Sequence, residues 1–147
     1  VINYQDHALL LNETHKRWFG EYLVVEEDPG LVLNAINETD VMLLSVGLEQ
    51  QPVFNYGNVK SLLMFGCDLA ELVQQVAIEA VPEDLQTEEQ AALSKVAEEG
   101  AVAEYHSQRI TPKQKRWHVR DGKIWTLKDS LGRFHGLAYC FKDWGQA

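Results

Sequence analysis

Val41-Met42-Leu43-Leu44-Ser45-Val46 leads through a polar turn, Glu49-Gln50-Gln51, into Val53-Phe54-Asn55-Tyr56, and Asn58 then opens a helix that stops at Gly66. The first run lacks strict alternation, so it is expected to be covered on both faces and central in a sheet, with a helical alternative open for so short a run. Pro52 precedes the second strand rather than interrupting it, as its missing donor requires. The Asn58 side chain can accept from an orphan amide of the first helical turn, and Gly66 can take the left-handed conformation that ends a helix. Val59, Leu62 and Leu63 are the predicted inward residues of that helix. A hairpin that passes its second strand directly to a short capped helix builds one wall of a pocket. This is the construction of a small sensory or binding module and not an enzyme signature.

Upstream, a helix is predicted from Asp6 as cap to Tyr22, with a Glu13–Arg17 pair one turn apart and an apolar stripe of Leu11, Trp18 and Tyr22 widened by Leu10 and Thr14. With Trp18, Phe19 and Tyr22 it carries too much apolar surface to stand free, so it packs on its own domain or on a second subunit. Removal of residues 1–22 is expected to abolish dimerisation and leave a folded domain. Asp28-Pro29-Gly30 starts a second, shorter helix, the Asp supplying an acceptor and the Pro fitting the first position.

Downstream, Leu69, Leu72, Val73 and Val76 mark one or two packed helical turns, broken at Pro82. Thr87 and Gln90 form a capping-box pattern, and Ala92, Leu93, Val96 and Ala97 recur at helical spacing until Gly100. The remainder reads as strands over 102–110, 115–127 and 133–141, the last with Leu137, Tyr139 and Phe141 on one side and Lys128-Asp129-Ser130-Leu131-Gly132 as the turn before it. Gly122 invites a bulge that turns Ile124 and Thr126 inward; without it Trp125 and Leu127 point inward instead. Strands and helices segregated in this way make an α+β architecture: a five-stranded antiparallel sheet with helices on one face, plus the N-terminal helix.

The chain has 147 residues, 46% of them hydrophobic and 24% charged, which fits one ordinary globular domain spanning 1–147. No apolar run is long enough to cross a bilayer and no secretory leader opens the sequence, so a cytoplasmic protein is expected. Cys67 and Cys140 are expected as unpaired thiols. Residues 1–104 hold 4 Lys/Arg against 19 Asp/Glu, and residues 105–147 hold 9 against 3. An acidic helical half facing a basic strand half is most simply charge complementarity within or between subunits. The net charge of −9 argues against nucleic acid, whose phosphates need a dominant positive footprint.

Taken together, Pro52-Val53-Phe54-Asn55-Tyr56-Gly57-Asn58, Glu98-Glu99-Gly100, Glu104-Tyr105-His106-Ser107-Gln108-Arg109-Ile110, Arg116-Trp117-His118-Val119, Ile124-Trp125, Asp129 and Gly132-Arg133 resemble the MEKHLA domain family. This is a PAS-like domain found alone in bacteria and at the C-terminus of plant homeodomain-leucine zipper regulators. The resemblance runs from about Leu9 to Phe141 and implies a PAS-like sensory or interaction domain. The chain departs from the family pattern at Ser107, where Gly is usual, at Gly122, an Ala-like position, and at Thr126, an Asn-like position.

Tyr56, Asn58, Tyr105, Arg109, Trp117 and Trp125 are the candidate pocket residues for a small polar or aromatic molecule. Alternation places Arg109 with Tyr105 and Ser107, where it forms an internal salt bridge, joins a solvated face, or grips an anion by its bidentate fork. Asn58 is explained by capping as readily as by ligand contact. The tryptophans line a pocket, form a subunit seam, or fill the core. Leu11, Trp18, Phe19 and Tyr22 are the candidate interface of a homodimer. The five histidines lack metal-ligand spacing, so no metal is assigned. The helix after the second strand carries no cysteine for a covalent flavin adduct; loosely bound flavin stays open and no cofactor is predicted. Three readings remain: a pocketed sensor, a dimerising module without ligand, and a small α+β enzyme such as an isomerase.

Overall fold

A computed structural model describes residues 2–147. Five strands, β1 (Met42–Val46), β2 (Phe54–Gly57), β3 (Ala101–Ile110), β4 (Arg116–Lys128) and β5 (Phe134–Gln146), form one sheet in the order β2-β1-β5-β4-β3. Every neighbouring pair is antiparallel. β1 sits between β2 and β5 and is buried along its whole length, as a non-alternating apolar run demands.

Both faces of the sheet are covered. The short helices α3 (Val59–Phe65) and α4 (Leu69–Leu72) and the longer α5 (Gln86–Glu99) close one face over Met42, Leu44, Val46, Phe54, Ile124, Tyr139 and Phe141. The helices α1 (Tyr4–Phe19) and α2 (Val32–Glu38) close the other over Leu43, Tyr56, Trp125, Leu127, Ala138 and Cys140. Phe54 and Tyr56 reach opposite layers although they are two apart, because Val46 pairs with Phe54 and Ser45 with Tyr56, leaving Asn55 as an extra residue between them. In β4 the change of side falls at Asp121, whose φ is 49°. Ile124 thereby joins Val119 beneath the helices, while Trp125 and Leu127 face α1, which is the bulged alternative. Gly122 permits this crossing: a Cβ there would lie 2.6 Å from the Tyr105 carbonyl oxygen and 2.7 Å from Phe141 Cδ1.

Several local expectations are corrected. The side chain that caps α1 is Asn3, which accepts from the Asp6 amide, and the helix ends at Gly20, leaving Tyr22 outside it. Arg17 donates to the Lys128 carbonyl across the domain and makes no ion pair with Glu13. Asn58 and Gly66 bound α3 as expected, but the helix is rotated: Leu63 is 71% exposed and Val59 also faces out, while Ser61, Met64 and Phe65 face in. The rotation is fixed by the Ser61 hydroxyl, which donates to the Leu43 carbonyl, and by Phe65, set edge-on to Phe54 at 5.6 Å. α5 starts at Gln86, directly after a 3-10 turn at Glu83–Leu85, so Thr87 lies inside the first turn and caps nothing.

α1 is integral to the core. Leu11 is fully buried, the Trp125 indole donates to Thr14 Oγ1 at 2.9 Å, and His15 and Phe19 stand edge-on to the same indole. His7 Nε2 lies 2.8 Å from Ser45 Oγ, and Ser45 donates onward to Asn55 Oδ1, so His7 Nε2 is the donor in this pair. Burial, helped by His135, lowers the His7 pKa to about 4. Loss of residues 1–22 therefore uncovers Trp125, Leu127 and Ala138, and a folded remainder is not expected. Among the described residues, no helix is long and apolar enough to cross a membrane.

Candidate functional site

The helix-covered face is not packed solid. Between β1, β5 and the segment formed by α5 and the turn Ala77–Ala80 lies a cavity of about 410 Å³. Leu44, Val46, Phe54, Ile78, Leu93 and Leu137 give it apolar walls, and the exposed Gln50, Gln51 and Gln90 stand at its rim. Arg109, Glu89 and Tyr139 supply its buried polar end.

Three local periodicities bring that end together. Glu89 precedes Leu93 by four residues and Val96 by seven, so it shares the inward stripe of α5. Tyr105, Ser107 and Arg109 share one side of β3, and Leu137, Tyr139 and Phe141 one side of β5. Arg109 Nη2 meets Glu89 Oε2 at 3.3 Å and the Tyr105 hydroxyl at 3.1 Å, while Nη1 donates to the Gln108 carbonyl at 2.9 Å. Tyr105 donates to the other carboxylate oxygen of Glu89. The guanidinium carbon lies 5.6 Å from the ring centres of both Tyr139 and Phe141. The Arg109 and Glu89 side chains are only 3% and 2% exposed, so this is a desolvated ion pair boxed by aromatic rings.

Burial opposes the charge on Arg109, but Tyr105, Glu89 and Tyr139 outweigh it and hold its pKa above the ordinary value. Burial raises the Tyr105 and Tyr139 hydroxyls, which stay neutral phenols. Among the described residues the Tyr139 hydroxyl has no hydrogen-bond partner, although the residue is 95% buried (5% exposed) and lines the cavity.

Of the six sequence-derived pocket candidates, only Arg109 lines the cavity, and its first role is the internal salt bridge; Tyr105 stands behind it as a hydrogen-bond partner. Tyr56 lies on the opposite face with its hydroxyl on Asn37, and Trp125 lies there beneath α1, because the bulge at Asn55 and the reversal at Asp121 turn both away. Asn58 is a buried tie: it accepts from the amides of Ser61 and Leu43 and donates to the carbonyls of Ile36 and Val41. Trp117 pairs with Arg109 across β3 and β4 but lies outside the cavity; its indole N–H is buried without a partner among the described residues, and the Lys115 ammonium sits 4.9 Å over its ring. Glu89 and Tyr139 were missed as site residues. A lone carboxylate on the apolar stripe of α5, matched by a lone arginine on an alternating strand, was the available signal.

The interface candidates also separate. Leu11 and Phe19 belong to the chain's own core, the latter against Trp125. Trp18 is 39% exposed and donates to the Thr126 carbonyl, and Tyr22 is 48% exposed. The thiols are unpaired: Cys140 is buried on the α1 side, and Cys67 lines an outer groove with Leu62 and Leu63. Neither faces the cavity, so the residues do not fit a covalent flavin adduct there. No group of three His, Cys, Asp or Glu with metal-holding geometry occurs among the described residues.

Residues 5–146 match the family model described as the MEKHLA domain. No curated protein matches the sequence. Among solved structures, the PAS domain of a protein from Colwellia psychrerythraea superposes with a TM-score of 0.61 at 12% identity, covering 75% of this chain and 91% of that one. An RNA-binding light-oxygen-voltage receptor gives 0.63 at 14% identity, over 80% of this chain and 33% of the receptor. A light-oxygen-voltage domain studied with a flavin analogue gives 0.61 at 11% identity, over 79% and 84%. At these identities the likeness is one of fold.

Proposed function

This chain belongs to the MEKHLA domain family, with a PAS-like fold, and from that premise we propose that it is a sensory domain that takes a small molecule into the cavity between α5 and the sheet. The observation that carries the reading is the cavity itself: about 410 Å³, apolar along its walls, with hydrogen-bonding groups gathered at one buried end. That is the ordinary size and chemistry of a small-molecule site. A molecule seated there touches α5 through Leu93 and Gln90 and the sheet through Leu44, Val46 and Leu137. It shifts the position of α5 only by the difference between its affinities for the two arrangements. The Arg109–Glu89–Tyr105 cluster is the tie between α5 and β3 that such a shift has to strain.

The test is native mass spectrometry of freshly purified protein together with thermal melts against a metabolite library, on wild type and on Leu93→Trp, which fills the cavity. A discrete bound mass, or a stabilising compound, that disappears in Leu93→Trp supports the reading. Equal behaviour of the two proteins refutes it.

A second reading, homodimerisation, is favoured by the exposed Trp18 and Tyr22 at the end of α1. Sedimentation velocity of the intact chain is expected to show a dimer that Tyr22→Lys dissociates; a monomer at all concentrations rules this out.

A further inference from the structure

Resting on the small-molecule reading above, the geometry points to the class of molecule: we propose that the cavity selects an uncharged, mostly apolar compound bearing one hydrogen-bonding group, which pairs with the Tyr139 hydroxyl, and that it discriminates against carboxylates.

The buried arginine invites the opposite conclusion, and its surroundings reject it. An anion gains from a guanidinium only when the fork is free. Here Nη2 is engaged by Glu89 and Tyr105, and Nη1 by Gln108. Glu89 itself lines the cavity, so an incoming carboxylate meets a buried negative charge at the same place as the positive one. The polar end is thus neutral in sum. Binding an anion there means separating a desolvated ion pair or burying an excess charge, and both oppose binding.

The group left without a partner is Tyr139. Its neighbours on the same side of β5, Leu137 and Phe141, are apolar, its ring faces the Arg109 guanidinium, and its hydroxyl has no hydrogen bond among the described residues. Tyr139 keeps a small accessible area and lines the cavity, so a ligand that fills the space either pairs with this hydroxyl or leaves it unpaired, and the second alternative is the costly one. Because the phenol stays protonated, it offers both a proton and a lone pair.

Naphthalene, 2-naphthol and 2-naphthoate form a test series of nearly one shape differing in the polar group. Binding to the full chain is followed at neutral pH by ¹H–¹⁵N chemical-shift titration, with shifts at Leu93, Leu137 and Ile78 reporting occupancy of the cavity. The naphthol is expected to bind about tenfold more tightly than the naphthoate. Tyr139→Phe, which removes no bond within the protein, is expected to weaken the naphthol by up to about tenfold, the worth of one neutral hydrogen bond, and to leave naphthalene unchanged. Glu89→Gln is expected to reverse the order in favour of the naphthoate by freeing the arginine. Naphthoate binding to wild type as tightly as naphthol, or naphthol affinity indifferent to Tyr139→Phe, overturns the proposal while leaving the small-molecule reading intact. Absence of cavity shifts with all three compounds counts against both. Should Glu89→Gln fail to fold, Tyr139→Phe and the wild-type series still decide.

Discussion

Replacement of Glu89 by Gln tests whether the polar end of the cavity is the desolvated pair its geometry implies. The Glu89 and Arg109 side chains are 2% and 3% exposed, so the variant keeps a neutral acceptor beside a guanidinium held out of water but removes the negative charge that balances it. Breaking a buried pair from one side costs about 3–5 kcal/mol. For a chain of this length each kcal/mol moves the melting midpoint by about 2–4 °C, so a fall of roughly 6–20 °C is expected. Arg109→Met is expected to cost less, since a carboxyl can neutralise itself by taking up a proton and a guanidinium cannot. The double variant Glu89→Leu/Arg109→Met removes both charges, and with Tyr105→Phe added it also removes the hydroxyl that would otherwise be orphaned; that triple is expected to lie within about 1 kcal/mol of wild type, or above it. Urea unfolding of the singles and the multiple variant gives the coupling directly. Single-variant losses below about 1 kcal/mol, the range of solvated surface pairs, would show that water reaches the cluster and would refute the argument built on its burial.

Gly122→Ala places a methyl 2.6 Å from the Tyr105 carbonyl oxygen, and a loss of about 1–3 kcal/mol in urea unfolding is expected, with no loss meaning that the strand crossing is looser than described. Asn58→Ala removes a side chain that holds two amides and two carbonyls, so it should cost more than the roughly 1 kcal/mol of a simple helix cap; a cost no larger would reduce Asn58 to that role. His7, lowered from 6.5 to about 4, contributes stability that is full above pH 6.5 and is lost as the pH falls toward 4, because the unfolded chain takes up the proton first. The loss amounts to about 3 kcal/mol, and urea midpoints across that window should lose this part of their slope in His7→Gln.

What the sequence made legible was local. The double-faced burial of β1, the Asn58 and Gly66 ends of α3, the turn at Asp129 and the three-strand meander each follow from a few adjacent residues whose backbone preferences agree. The rotation of α3 escaped because apolar residues lie on all its sides, and what selects one is long-range: the hydrogen bond from Ser61 to the Leu43 carbonyl and the contact of Phe65 with Phe54. The extra residue at Asn55 escaped because nothing in Phe54-Asn55-Tyr56 marks it, and it carried Tyr56 away from the cavity. Glu89 escaped for a physical reason of its own: a carboxylate in a helix reads as a solvated residue until its cation, 20 positions further on, is known to face it. The core role of α1 was hidden by polar residues on its buried side, where His7, Asn12, Thr14 and His15 all find partners in the fold.

The two faces of the sheet are covered differently, and this explains why the cavity over Leu44, Val46 and Leu137 lies on the side away from α1. α1 spans Tyr4–Phe19 and delivers Leu11, Phe19 and its own hydrogen-bonding groups directly onto Trp125, so that face is filled by one continuous element. Over the cavity the opposite face is roofed by one side of α5 and by two short pieces, the four-residue 3-10 turn Ala77–Ala80 and the segment 50–52. The two short pieces present one or two side chains apiece and cannot interdigitate along a strand, so space remains between them and α5 over Leu44, Val46 and Leu137. They also hold few internal hydrogen bonds, which places them at the readily opened end of the stability range. The short pieces of the roof, which leave room for a ligand, are therefore the part of the domain best suited to admit one, while the Arg109–Glu89 pair keeps α5 seated beside them.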